Sequence, residues 1–145
     1  MPVSKASPHR FVGLDVHKHY LVAAAVDRDQ NEVLSPRPVR LTRLDDWVRR
    51  TLTPEDAVVL EMTTNAFQLY DDLLPHVYSV TIVHPPHVAL ITRAQVMTDK
   101  IAARILARLL AAGLLPPVWV PSPEVRDARA LVAQRSKMMC LATQA

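Results

Sequence analysis

The apolar residues fall into short runs whose spacing changes along the chain. Phe11–Val16 and Tyr20–Val26 are continuous β-prone stretches joined by His17-Lys18-His19, which predicts an antiparallel hairpin. Asp27–Asn31 is polar and turn-like. Glu32–Leu41 predicts a third strand, which Pro36 and Pro38 either confine to a sheet edge or break. Thr42–Leu52 places Leu44, Trp47, Val48 and Leu52 at helical spacing, with Thr42 as N-cap and Pro54 as a stop. Ala57–Met62 predicts a buried strand interrupted by Glu61. Ala66–Leu74 predicts a helix ended by Pro75, and Val77–Val83 another strand. Residues 87–92 suit a short helix. Thr98–Ala112 carries the strongest helical pattern, and Gly113 is its natural C-terminal stop. Leu114–Pro123, with four prolines, predicts a stiff connector with a short strand at Val118–Val120. Ser122 then caps a final helix over Glu124–Leu141. The predicted order, β-β-β-α-β-α-β-α-α, suits an α/β domain whose mixed sheet opens with antiparallel strands. Residues 1–10 form a loose leader, 11–121 the domain and 122–145 a C-terminal helix extending from it.

Composition narrows the options. The chain has 145 residues, enough for one core; 50% are hydrophobic and 21% charged, which suits a folded domain and not a disordered one. Gly13 and Gly113 are the only two glycines, which argues against the Gly-rich phosphate turns of a sugar-kinase-like ATPase. Cys140 stands alone, so neither an intrachain disulfide nor a Cys-based zinc site is open to the chain, and a reducing, cytoplasmic setting fits. No apolar run approaches the roughly 20 residues of a membrane span, and the first ten residues lack a signal-peptide core. The net charge of +3 hides an asymmetry. Residues 1–92 hold 9 Lys/Arg against 11 Asp/Glu, and residues 93–145 hold 8 against 3. The basic second part suits a polyanion or simply a solvated helical surface.

Three carboxylates stand out. In the first strand Val12, Leu14 and Val16 share one face, while Phe11, Gly13 and Asp15 share the other. Asp15 thus lies in an apolar strand, and Glu61 repeats the situation in Val58-Val59-Leu60-Glu61-Met62. A lone buried carboxylate is costly unless something pairs with it. Two in central strands point to a shared cation, and oxygen ligands suit Mg²⁺. Asp99 opens the long helix after Thr98. Each also has an ordinary structural reading: Asp15 capping a turn, Glu61 pairing with an arginine, Asp99 facing the helix dipole.

The ordered set of motifs is more specific than any one of them. Phe11-Val12-Gly13-Leu14-Asp15-Val16-His17-Lys18 resembles the opening motif of the DEDD-type insertion-sequence transposases (the IS110 family). Leu60-Glu61-Met62-Thr63-Thr64-Asn65 resembles the family's second motif, and Thr98-Asp99-Lys100-Ile101-Ala102-Ala103-Arg104 its third. Leu114-Leu115-Pro116 and Val118-Trp119-Val120-Pro121 are also similar to segments typical of the family. The resemblance implies an RNase H-like (RuvC-like) domain, with Asp15, Glu61 and Asp99 as catalytic and metal-binding acids and Mg²⁺ as cofactor. It implies DNA as substrate, a structured guide RNA as partner, and a homo-oligomer when full length. It also implies a second domain carrying a catalytic serine, so the chain reads as a truncated or degenerate copy. The family's fourth acidic position is Ala102 here. Alanine cannot ligate a metal, so impaired activity is expected, and a catalytically dead RNA- or DNA-binding module is the alternative.

Lys100, Arg104 and Arg108 recur every four residues on the long helix; with Lys18 they are the candidate phosphate contacts, a solvated surface being the ordinary alternative. The pairs His17/His19 and His84/His87 lack accompanying cysteines and read as incidental.

Overall fold

The computed structural model describes residues 7–84, 98–118, 120–122, 124–129 and 131–132. The first hairpin forms as its pattern predicts. β1 (Arg10–Val16) and β2 (Tyr20–Asp27) pair antiparallel along their whole length, from Arg10 opposite Asp27 to Val16 opposite Leu21. β3 (Glu32–Arg40) then runs antiparallel to β2 at the sheet edge. Its prolines are accommodated, because two register shifts let β3 bulge past Ala23–Val26, and an edge strand has no second neighbour to supply.

The chain leaves the sheet through a 3-10 turn (Leu41–Arg43) and helix α1 (Leu44–Thr51). Thr42 is therefore not an N-cap: it lies inside the 3-10 turn, Arg43 occupies the cap position of α1, and no side chain caps it. β4 (Asp56–Glu61) returns parallel to β1. α2 (Ala66–Leu73) comes next, then a 3-10 turn (Leu74–His76), then β5 (Ser79–Val83), parallel to β4. The sheet order is β3-β2-β1-β4-β5. α3 (Asp99–Ala111) lies across β1 and β2.

The two faces of the sheet are packed differently. Val12, Leu14, Val58 and Leu60 point to the face covered by α1 and α2, where Leu44, Val48, Leu69 and Leu73 are buried. The opposite face carries Val22, Ala24 and Val59 beneath Ala103 and Leu106 of α3. Gly13 is the reason α3 can sit so low. A Cβ there would come within 2.6 Å of the Ala107 nitrogen and 2.9 Å of the Leu106 Cβ, and closer still to the Ala103 carbonyl. The helix ends are sequence-encoded. The Thr98 hydroxyl accepts from the Ile101 amide at 3.3 Å. At the other end Gly113 has φ +71°, and the Leu114 and Gly113 amides reach back to the Leu109 and Leu110 carbonyls, each at 3.1 Å.

Beyond α3 the proline-rich connector lies along β5. The predicted strand at Val118–Val120 reduces, among the described residues, to a single antiparallel bridge between Pro117 and Val83, since Pro116 and Pro117 have no N–H to build a ladder. Residues 124–129 and 131–132 are helical, with the Ser122 hydroxyl accepting from the Val125 amide at 3.4 Å. The helix expected at 87–92 and the last part of the final helix lie outside the described residues. A mixed five-stranded sheet in this order, with only β2 antiparallel to its central partners and helices on both faces, is an RNase H-like α/β fold.

Candidate metal centre

Register brings the acids together. β1 and β4 are parallel with Leu14 beside Leu60, so Asp15 and Glu61 come side by side where the two central strands end. Both share the parity of Gly13 and Val59 and therefore lie on the α3 face. Asp99 enters from above, as the first residue of α3. The depth that Gly13 grants the helix sets how near Asp99 comes to the strands.

Asp15 and Asp99 meet at His17. The His17 Nε2 lies 2.8 Å from Asp15 Oδ2 and 3.2 Å from Asp99 Oδ1. The three donor atoms fall within 4.8 Å of one another, close enough to hold one metal ion between them. Tyr20, at the start of β2, frames the cluster. Its hydroxyl donates to Asp99 Oδ2 at 2.7 Å, and its ring stacks on His17 with centroids 4.7 Å apart. That hydrogen bond, with burial adding to it, raises the Tyr20 hydroxyl above the usual phenol range.

Asp15 and Glu61 are both held above the ordinary carboxyl range, chiefly by burial. Burial pushes the Asp15 carboxyl above its ordinary value; the hydrogen bond and charge of His17 pull against this, and the nearby Asp99 adds to the rise. Glu61 is raised as well, chiefly by burial and further by the charge of Asp15. Glu61 thus senses Asp15 but stands outside the Asp15–His17–Asp99 cluster. A cleft of about 500 Å³ opens beside the cluster, lined by Val16, His17, Lys18, Thr63, Thr64 and Asn65. Thr63 carries a buried hydroxyl with no hydrogen-bond partner among the described residues. Two carboxylate oxygens, an imidazole nitrogen and a third acid beside them are a donor set that fits a divalent cation.

The cationic residues divide. Lys18 is exposed in the β1–β2 turn at the rim of the cleft, and Lys100 and Arg108 are exposed on α3. Arg104 is already engaged, its Nε 2.9 Å from Glu32 Oε1 on β3. Arg126 on the final helix is likewise paired, 3.0 Å from Asp71 and 5.4 Å above the Phe67 ring. Spacing alone missed His17 and Tyr20. A His-x-His turn reads as incidental until α3 brings Asp99 to it from far along the chain, and Tyr20 reads only as a strand residue.

An RNase H-like sheet with acids at the ends of its two central parallel strands, and a third on the covering helix, defines the class of the domain. A family model for DEDD-type IS110 transposases, described as Transposase, matches residues 12–145, and the chain belongs to that family. A search of curated proteins gave no significant match. No helix among the described residues is long and apolar enough to cross a membrane.

Proposed function

We propose that this chain carries the Mg²⁺-dependent strand-cutting and strand-transfer centre of a DEDD-type transposase, acting on DNA. The observation that carries the reading is the meeting of Asp15 and Asp99, with Glu61 beside them, on one face of the central strands. Asp15 and Asp99 would hold the ion, and Glu61 would complete its acidic surround. Once bound, such an ion would polarise the phosphate and help activate the attacking oxygen. Tyr20 fixes the rotamer of Asp99 by occupying its second oxygen. Lys18, at the rim of the cleft, offers a phosphate contact next to the reacting centre, while Lys100 and Arg108 extend a positive track along α3. The structured RNA and the second copy of the chain that the family resemblance implies would meet this same basic surface.

Ala102 favours a second reading. It lies three residues after Asp99 on α3, on the same side of the helix, where an acid would add a ligand. Without one, ion binding weakens and cutting is slow, and the limiting case is a module that binds nucleic acid without cutting it. The two readings separate in a cleavage assay on branched DNA with Mg²⁺. The transposase reading expects weak cleavage by the native chain, stronger cleavage by Ala102→Asp, and none by the double variant Asp15→Asn/Ala102→Asp. Tight binding with no cleavage by Ala102→Asp would favour the binding module.

A further inference from the structure

The crossing point of the cluster is a nitrogen. The His17 Nε2 stands 2.8 Å from one carboxylate oxygen and 3.2 Å from another. One ring nitrogen carries at most one hydrogen, so it can direct a good hydrogen bond to only one of these oxygens. A cation among the three atoms satisfies all of them. The spacing suits that arrangement: with bonds of about 2.1 Å at right angles, neighbouring ligand atoms around a six-coordinate ion lie about 3.0 Å apart. Tyr20 supplies an independent sign that the imidazole is held in place. It stacks on the His17 ring at an interplanar angle of 17° while its hydroxyl occupies Asp99 Oδ2, which leaves Oδ1 turned toward His17. Such outer partners orient the ligands of a metal site.

We propose that His17 is a direct ligand of the bound cation, through Nε2, and that it adds affinity for divalent transition ions such as Mn²⁺ to a site whose acids alone suit Mg²⁺. This rests on the reading that Asp15 and Asp99 hold a divalent cation. Mg²⁺ takes oxygen donors almost exclusively, whereas imidazole suits transition ions. In a chain with alanine at position 102, His17 supplies a donor that the acidic set lacks. Tyr20 is a positioning residue: it touches no ion and acts by fixing the ring of His17 and the carboxylate of Asp99.

The test is electron paramagnetic resonance of Mn²⁺ bound to the full chain, with spin-echo modulation used to detect a directly bonded nitrogen. Circular dichroism checks the fold of each variant. The native chain is expected to show nitrogen coupling. His17→Gln and His17→Ala should lose it and weaken Mn²⁺ binding by about tenfold or more, while His19→Gln retains both. Mg²⁺ affinity, measured by competition, should move much less, and Tyr20→Phe should keep the coupling but weaken Mn²⁺ binding by about tenfold. Mn²⁺ bound without nitrogen coupling, or coupling that survives in His17→Ala, overturns the role of His17 and leaves the carboxylate site standing. Failure of the native chain to bind Mn²⁺ at all overturns both.

Discussion

Gly13→Ala adds one methyl group where strand β1 meets helix α3. Considered alone, β1 should welcome it, because alanine in a strand is favoured over glycine by about 0.5–1 kcal/mol. The surroundings reverse the sign. The new Cβ would lie 2.6 Å from the Ala107 nitrogen, and closer to the Ala103 carbonyl, where ordinary contact begins near 3.4 Å. These are backbone atoms, so no side-chain rotation gives relief and α3 must retreat by about 1 Å or more. Overpacking of this kind costs about 1–3 kcal/mol, which exceeds the propensity gain. The retreat also carries Asp99 away from His17, stretching a 3.2 Å contact beyond hydrogen-bonding reach. Urea unfolding of the two proteins should show a lower midpoint for Gly13→Ala at an unchanged slope, and a Mn²⁺ titration of the folded variant should show weaker binding. A variant as stable as the native chain, with undiminished ion affinity, would refute the claim that close seating of α3 builds the site.

Three further outcomes rest on the same geometry. Asp56 is fully buried and takes two 2.7 Å bonds from Arg10 and one of 2.8 Å from the Thr53 amide, while Arg10 itself is partly exposed, so Asp56→Ala should cost about 1.5–3 kcal/mol in chemical denaturation; a cost below about 0.5 kcal/mol would contradict this pairing. Asp15 has its folded-state pKa raised by burial, so its contribution to stability is undiminished at low pH and is lost as pH climbs through the raised value. In chelator-treated protein, Asp15→Asn should therefore gain stability relative to the native chain as pH rises above the ordinary carboxyl value, and the opposite trend would contradict the burial argument. For nucleic-acid binding, replacing Lys100 and Arg108 with glutamine should lower the slope of log affinity against log salt by about 0.7–0.9 per lost phosphate contact. Adding Arg104→Gln should change the slope less, because Glu32 already holds that guanidinium; an unchanged slope in the double variant would remove α3 from the interface.

Much of the fold is legible in the sequence because burial and strand pairing write themselves into period. The parity of Val12, Leu14 and Val16 against Gly13 and Asp15 predicts which face each residue takes, and the sheet obeys it. Thr98 and Gly113 mark the ends of α3 through hydrogen bonds that need only local chain. What local pattern could not supply was decided by tertiary context. Thr42 has the chemistry of a cap, but the chain leaves β3 through a 3-10 turn that starts one residue earlier. Val118–Val120 has strand composition, but the prolines before it cannot donate to a ladder, leaving one bridge, at Pro117, among the described residues. Arg104 sits in a regular basic stripe, and only the approach of β3 shows it tied to Glu32. The site divides in the same way. Asp15, Glu61 and Asp99 can be singled out as charges in apolar or helix-start positions, whereas His17 and Tyr20 acquire meaning only when α3 folds back over the hairpin.

The central claim is that Asp15 and Asp99, held by β1 and α3, form one cation site. Calorimetric titration of the full chain with Mn²⁺ and with Mg²⁺ tests it most directly, using Asp15→Asn, Asp99→Asn and the remote surface variant Asp72→Asn as the comparison set. The account predicts one site per chain, binding weakened beyond detection in Asp15→Asn and in Asp99→Asn, and no change in Asp72→Asn. Equal loss of affinity in all three, or none in any, would show that the ion is held by diffuse surface charge and contradict the account.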